Sequence, residues 1–244
     1  AMANKAAMPA DISPFAVQAP PTEPPSRLLT DDWPFVYVTP VALDVPYLFV
    51  VGIIIFLSVA ASRKVLASES SWLHFQMFFL GAAFLLLELQ SIARLSLVYG
   101  STWLTSSIVI NGVLVMILAA NLLVIKADKL SYKSPWLFVL LFASLAASYC
   151  LPYREILAWD NWWAAHLLVT VLTLLPMFAA GLIFATAFKS TKKPASALAF
   201  NLLGAVIGAM AEYLSNYVGI SGLVLTSAVF YACAFVCNLR AKPQ

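Results

Sequence analysis

The chain has 244 residues, of which 62% are hydrophobic and 10% charged, and its formal net charge is +3. Soluble globular domains carry about 25% charged residues, so this composition excludes an ordinary soluble enzyme and describes a chain solvated by lipid. Long unbroken apolar runs, such as residues 108–125, also exclude a transmembrane β-barrel, whose strands show about 10 residues of strict alternation.

The first thirty residues are rich in proline and alanine, with QAPPTEPPS at 18–26. Proline fixes φ and removes a donor, so this stretch reads as extended or polyproline II, and no cleavable leader with an apolar centre is visible in it. The segment DDWPFVY that follows is different. Asp31 and Asp32 precede the alternating aromatics Trp33, Phe35 and Tyr37, a pattern suited to the headgroup layer or to contact with a partner. Residues 1–45 are therefore expected to form a proline-rich tail ending in an interfacial segment.

Seven apolar segments fill residues 46–240, at about 46–62, 73–98, 104–125, 135–151, 162–188, 196–214 and 218–239. A hydrocarbon core of about 30 Å takes roughly 20 helical residues, and lipid cannot satisfy a bare backbone. The expected fold is an all-α bundle of seven transmembrane helices. The connections are too short for an inserted nucleotide-binding domain.

If the connections alternate sides, one side holds Arg63, Lys64, Lys126, Lys129, Lys133, Lys189, Lys192, Lys193, Arg240 and Lys242. The other holds Lys5, Arg27 and Arg154, with Arg94 inside a span. The positive-inside rule makes the first side cytoplasmic, so the C-terminus is inside and the N-terminal tail outside. The tryptophans, Trp33, Trp72, Trp103, Trp136, Trp159, Trp162 and Trp163, all fall at or just beyond span ends, as an interfacial belt would place them. The basic residues sit in short loops beside a membrane face, which gives no nucleic-acid signal. Cys150, Cys233 and Cys237 form no disulfide framework, and no metal set accompanies them.

Polar groups inside spans are costly and mark interhelical contacts or sites. The second span carries Glu88 and Arg94, which are six residues apart and do not share a face. The sixth span carries Asn201, Gly204, Gly208 and Glu212 on one stripe, and glycines four apart allow close backbone approach. These two spans are expected to pack, with Arg94 and Glu212 paired near the outer end and Glu88 a buried carboxyl within reach of Asn201. Glu88, Asn201, Glu212 and Arg94 are thus the candidate binding residues, and no catalytic residue is assigned. His74 and His166 lie at opposite membrane faces, which argues against a bis-histidine haem. Every lysine lies in a loop, a tail or at a span edge, which argues against retinal, and no hydrolase motif is present. No cofactor is expected.

The stretches DDWPFVYV (31–38), FFLGAAFLLLELQSIARLSLVYGSTWL (78–104) and NLLGAVIGAMAEYLS (201–215) resemble the C-terminal membrane region of bacterial polyamine aminopropyltransferase-like (spermidine synthase-like) membrane proteins. Thr30 to Phe35 match the joint that follows the nucleotide-type fold of that family. Glu88, Gly100, Thr102, Trp103, Asn201, Gly204 and Glu212 match positions in its bundle. The catalytic domain is lacking in this sequence, so the resemblance implies the bundle and not the enzymatic activity. It implies a multi-pass protein of the bacterial inner (cytoplasmic) membrane. The leading expectation is a non-catalytic membrane module, an anchor or accessory subunit docking a protein partner at its outer face. The alternative is a transporter or channel for small cations or polyamines that uses Glu88.

Overall fold

The computed structural model describes residues 30, 32–33, 45–68, 71–100, 103–127 and 134–241. Within them the chain is helical: α1 (Val45–Ser68), α2 (Trp72–Tyr99), α3 (Trp103–Lys126), α4 (Pro135–Tyr149), α5 (Tyr153–Leu157), α6 (Trp162–Ser190), α7 (Pro194–Ala211), a 3₁₀ turn (Glu212–Leu214) and α8 (Ser215–Arg240). An isolated antiparallel bridge joins Thr30 to Trp33. Each of the seven apolar segments is helical over most of its length, and the unexpected element is α5, a single turn set between two of them.

Four stretches are long and apolar enough to cross a membrane: Trp72–Tyr99, Trp103–Lys126, Trp162–Ser190 and the run Pro194–Arg240. Val45–Ala60 and Pro135–Tyr149 are shorter apolar helices.

Local chemistry explains several of the helix ends. Pro135 and Pro194 stand in the first turns of α4 and α7, where a missing N–H costs nothing. The Asn161 side chain accepts from Ala164 N at 3.1 Å and caps α6. Lys126, Lys189 and Arg240 lie in the last turns of α3, α6 and α8, where a cation suits the helix dipole. Gly100, at φ 86°, ends α2.

The long helices alternate in direction. Tyr99 Oη at the end of α2 donates to the carbonyl of His166 near the start of α6, at 3.1 Å. Tyr47 at the start of α1 stacks on Tyr213 beyond the end of α7, with centroids 4.2 Å apart. Gln76 and Arg94 on α2 meet Asn238 and Ser221 on α8, so those two helices run antiparallel. Among the described residues, one end of the bundle, called here the Tyr99 end, holds Arg94, Arg154, Asp32, Glu155 and Asp160, with Glu212 deeper, just past the end of α7. The opposite end, the Trp72 end, holds Lys126, Lys189, Lys192, Lys193 and Arg240. The helix directions thus gather opposite charge balances at the two ends.

The hub is α2, packed along α7, α8, α6 and α3, while α6 carries α3, α4 and α5. Their facing sides form one apolar core that includes Met77, Leu87, Val109, Leu141, Val169, Met177 and Ile183. By contrast α1 leans on α7, and its Phe49 and Phe56 are exposed. Exposed apolar faces on α1 and α3 cost nothing in lipid, where helix association rests on close packing and interhelical hydrogen bonds.

Candidate functional site

The expected pairing of the second and sixth spans is present, as α2 against α7. The two helices run parallel and so close that side chains have no room between them. A Cβ on Gly204 would strike the carbonyl of Phe78, one on Gly208 that of Ala82, and one on Gly81 that of Asn201. Asn201 Nδ2 donates to Met77 O at 3.0 Å, crossing the seam. Asn201 and Gly81 also border a small cavity of about 220 Å³ between α2, α3, α6 and α7.

The register of this seam corrects two further expectations. Phe78 faces Gly204 and Ala82 faces Gly208, so Glu212 falls level with about Leu86. Arg94 lies eight residues beyond Leu86, roughly 12 Å at 1.5 Å per residue, and the expected Arg94–Glu212 pair does not form. Glu88 lies seven residues, roughly 10 Å, beyond the Gly81–Asn201 contact, out of reach of Asn201. The expectation had set both helices ending at one level. Instead α7 stops at Ala211, and the chain climbs through the 3₁₀ turn before reversing at Gly219. Glu88 is half-buried on α2, with no hydrogen bond or ion pair to a described residue. Glu212 sits at the turn between α7 and α8, near Tyr47.

Arg94 instead anchors a different site. Its Nη1 donates to Ser148 O on α4 and to Tyr153 Oη on α5, each at 3.3 Å. Its Nη2 donates to Ser221 Oγ on α8. The guanidinium also lies over the Tyr153 ring, 4.9 Å from the centroid, which adds a cation–π attraction. One side chain therefore ties α2 to three other helices at the Tyr99 end. Sequence reading missed Ser148, Tyr153 and Ser221. A serine, a tyrosine after a proline and another serine carry no signal until the fold brings them to one arginine.

Asp32 and Trp33 close the other side of this site. The Trp33 ring is only 4% exposed, its Nε1–H donates to Asn216 O at 2.8 Å, and its backbone N–H donates to Thr30 O at 2.9 Å. The Asp32 carbonyl accepts from Ile220 N at 2.9 Å, and its carboxylate Oδ1 accepts from Ser221 N at 2.6 Å. These two N–H groups begin the helical stretch after Gly219, which has φ 79° and ψ 172°. A helix start leaves its first N–H groups unsatisfied, and here a segment distant in sequence caps them. Trp33 was expected at the interface with a partner or with headgroups; its ring is instead committed within the chain, because the reversal at Asn216–Gly219 offers a carbonyl and an apolar seat. Asp32 keeps an exposed carboxylate but also serves as a cap. Asp31, Phe35 and Tyr37, the other residues expected to contact a partner, lie outside the described residues. The six other tryptophans are exposed at or near helix ends, as the belt reading requires.

Beside Arg94 lies a cavity of about 560 Å³, lined among others by Asp32, Arg94, Tyr153, Arg154, Glu155 and Ile220. Its size falls in the range of small-molecule sites, about 300–1,000 Å³. No protein-family model, curated protein or solved structure matches this chain.

Proposed function

We propose that the chain is a non-catalytic integral membrane module of seven transmembrane helices, an anchor or accessory subunit that receives a protein partner at its outer face. In this reading the Trp72 end, with its lysines and arginines, is cytoplasmic and the Tyr99 end is outside. The bacterial inner membrane is the proposed location, a reading that rests on the resemblance to the membrane region of aminopropyltransferase-like proteins.

The observation that carries the proposal is the latch of Asp32 and Trp33 on Asn216–Ser221. It fixes the point where the N-terminal segment meets the bundle. A docking segment held at a fixed point loses less freedom on binding than a free tail, and so binds more tightly for the same contacts. The acidic residues Asp11, Glu23, Asp31 and Asp32 suit a partner with a basic surface. Mild solubilisation of native membranes is expected to bring a second protein with the wild type and to lose it with Trp33→Ala. Recovery of the wild type as a solitary monodisperse protein overturns the docking reading.

A second reading has one observation in its favour: Glu88 is a half-buried carboxyl with no bonding partner among the described residues. A carboxyl of that kind within an apolar helix suits transport of a proton, a small cation or a polyamine. Polyamine uptake into liposomes, compared between wild type and Glu88→Gln, decides it. Uptake that falls in the variant supports transport, and equal uptake removes Glu88 from any mechanism.

A further inference from the structure

We propose that the cavity at the Tyr99 end is a binding site for a small zwitterion, whose oxyanion meets Arg94 and whose ammonium meets Asp32 and Glu155. The inference is independent of the docking reading, because it rests on the unused bonding capacity of the cavity itself.

Arg94 is half-buried and carries a permanent charge. Both N–H groups of Nη1 and one of Nη2 are engaged, all by neutral oxygens, those of Ser148, Tyr153 and Ser221. The Nε–H and the second Nη2–H have no partner among the described residues, and no carboxylate there forms an ion pair with Arg94. A partly desolvated guanidinium with two free donors is the standard receptor for a carboxylate or phosphate oxygen. Its three existing bonds fix the plane of the group before any ligand arrives, so little ordering is lost on binding.

The same cavity carries the opposite sign. Ser221 stands between the two charges: its Oγ takes a proton donor from Arg94, and its backbone N–H gives one to Asp32 Oδ1. The second carboxylate oxygen of Asp32 has no hydrogen-bond donor among the described residues, and Glu155 adds another carboxylate at the rim. A simple anion in this cavity meets the carboxylates of Asp32 and Glu155, and a simple cation meets the guanidinium groups of Arg94 and Arg154. A molecule with both charges a few ångströms apart satisfies each, and Leu97, Val98 and Leu157 provide apolar contact for its body. This chemistry has two sources, a free amino acid and the phosphoethanolamine headgroup of a lipid.

The test uses the full chain in detergent, titrated calorimetrically with leucine, with dihexanoyl-phosphatidylethanolamine and with dihexanoyl-phosphatidylglycerol. The proposal expects at least one zwitterion to bind at least tenfold more tightly than the phosphatidylglycerol; leucine binding identifies a free solute, and binding confined to the phosphatidylethanolamine identifies a headgroup. Arg94→Gln is expected to lose binding at least tenfold. Because that change also severs ties between helices, two other variants carry the decision. Leu97→Trp fills the cavity from an exposed position and is expected to abolish binding. Asp32→Asn keeps an oxygen to accept from Ser221 N and is expected to erase the preference for the zwitterion over phosphatidylglycerol. No binding of either zwitterion, equal binding of phosphatidylglycerol by the wild type, wild-type affinity in Leu97→Trp, or an unchanged preference in Asp32→Asn overturns the proposal.

Discussion

Asp32 and Trp33 show how much a short segment can do when a distant helix needs it. The carboxylate of Asp32 does for the start of the Ile220 stretch what a local cap does elsewhere, and replacing such a cap by alanine costs about 1 kcal/mol. Trp33 is almost wholly enclosed, and truncating a large buried aromatic costs roughly 3–5 kcal/mol. Thermal unfolding in detergent is expected to rank Trp33→Ala well below Asp32→Ala in stability; the reverse order contradicts the assignment of the ring as the main anchor. Gly219 belongs to the same latch. At φ 79° and ψ 172° a side chain is strained, and a Cβ would also press on the Asp32 carboxylate. Gly219→Ala is therefore expected to cost at least about 1–3 kcal/mol, the usual range for such backbone strain, and to loosen the latch, read as faster proteolysis near Thr30.

For the helices, the decisive contact is the glycine seam between α2 and α7. Gly204 and Gly208 lie against the carbonyls of Phe78 and Ala82, so a large residue must drive the helices apart along most of α7. Gly204→Leu and Gly208→Leu are expected to abolish monodisperse folded protein in size-exclusion chromatography. Gly52→Leu, on α1, is the control: a Cβ there meets nothing within 4 Å, and normal folding is expected. The Asn201–Met77 bond crosses the same seam. Interhelical hydrogen bonds in membranes contribute about 0.6–2 kcal/mol, so Asn201→Ala should weaken the pair without separating it. The small-residue stripe of α7 was legible in sequence because glycines four apart repeat on one face. The register was not, because no periodicity states how far one helix slides along another. That slide is what separates Glu212 from Arg94.

The whole molecule is organised by charge along its long axis. Among the described residues the Trp72 end collects the basic residues of α3, α6 and α8, and the Tyr99 end holds Asp32, Glu155 and Asp160 together with Arg94 and Arg154. The proposed orientation places Ser26 outside and Ser190 inside. In a cysteine-free background, a cysteine at 26 is expected to react with an impermeant maleimide in intact cells, and one at 190 only after permeabilisation. The opposite result inverts the molecule and moves both the latch and the Arg94 cavity to the cytoplasmic face, while leaving their geometry unchanged.

The apolar segments, their approximate ends and the segregation of charge follow from sequence alone, because lipid imposes helix length, internal hydrogen bonding and interfacial tryptophan on any chain that crosses it. The tertiary structure decided which polar residues meet. Arg94 joins Ser148, Tyr153 and Ser221 rather than Glu212, and Trp33 turns inward rather than toward a partner. Those outcomes depend on where α7 stops, where Gly219 reverses the chain and how α2 is shifted against its neighbours. These are differences of a few ångströms between helices, and residue spacing within a single helix carries no measure of them.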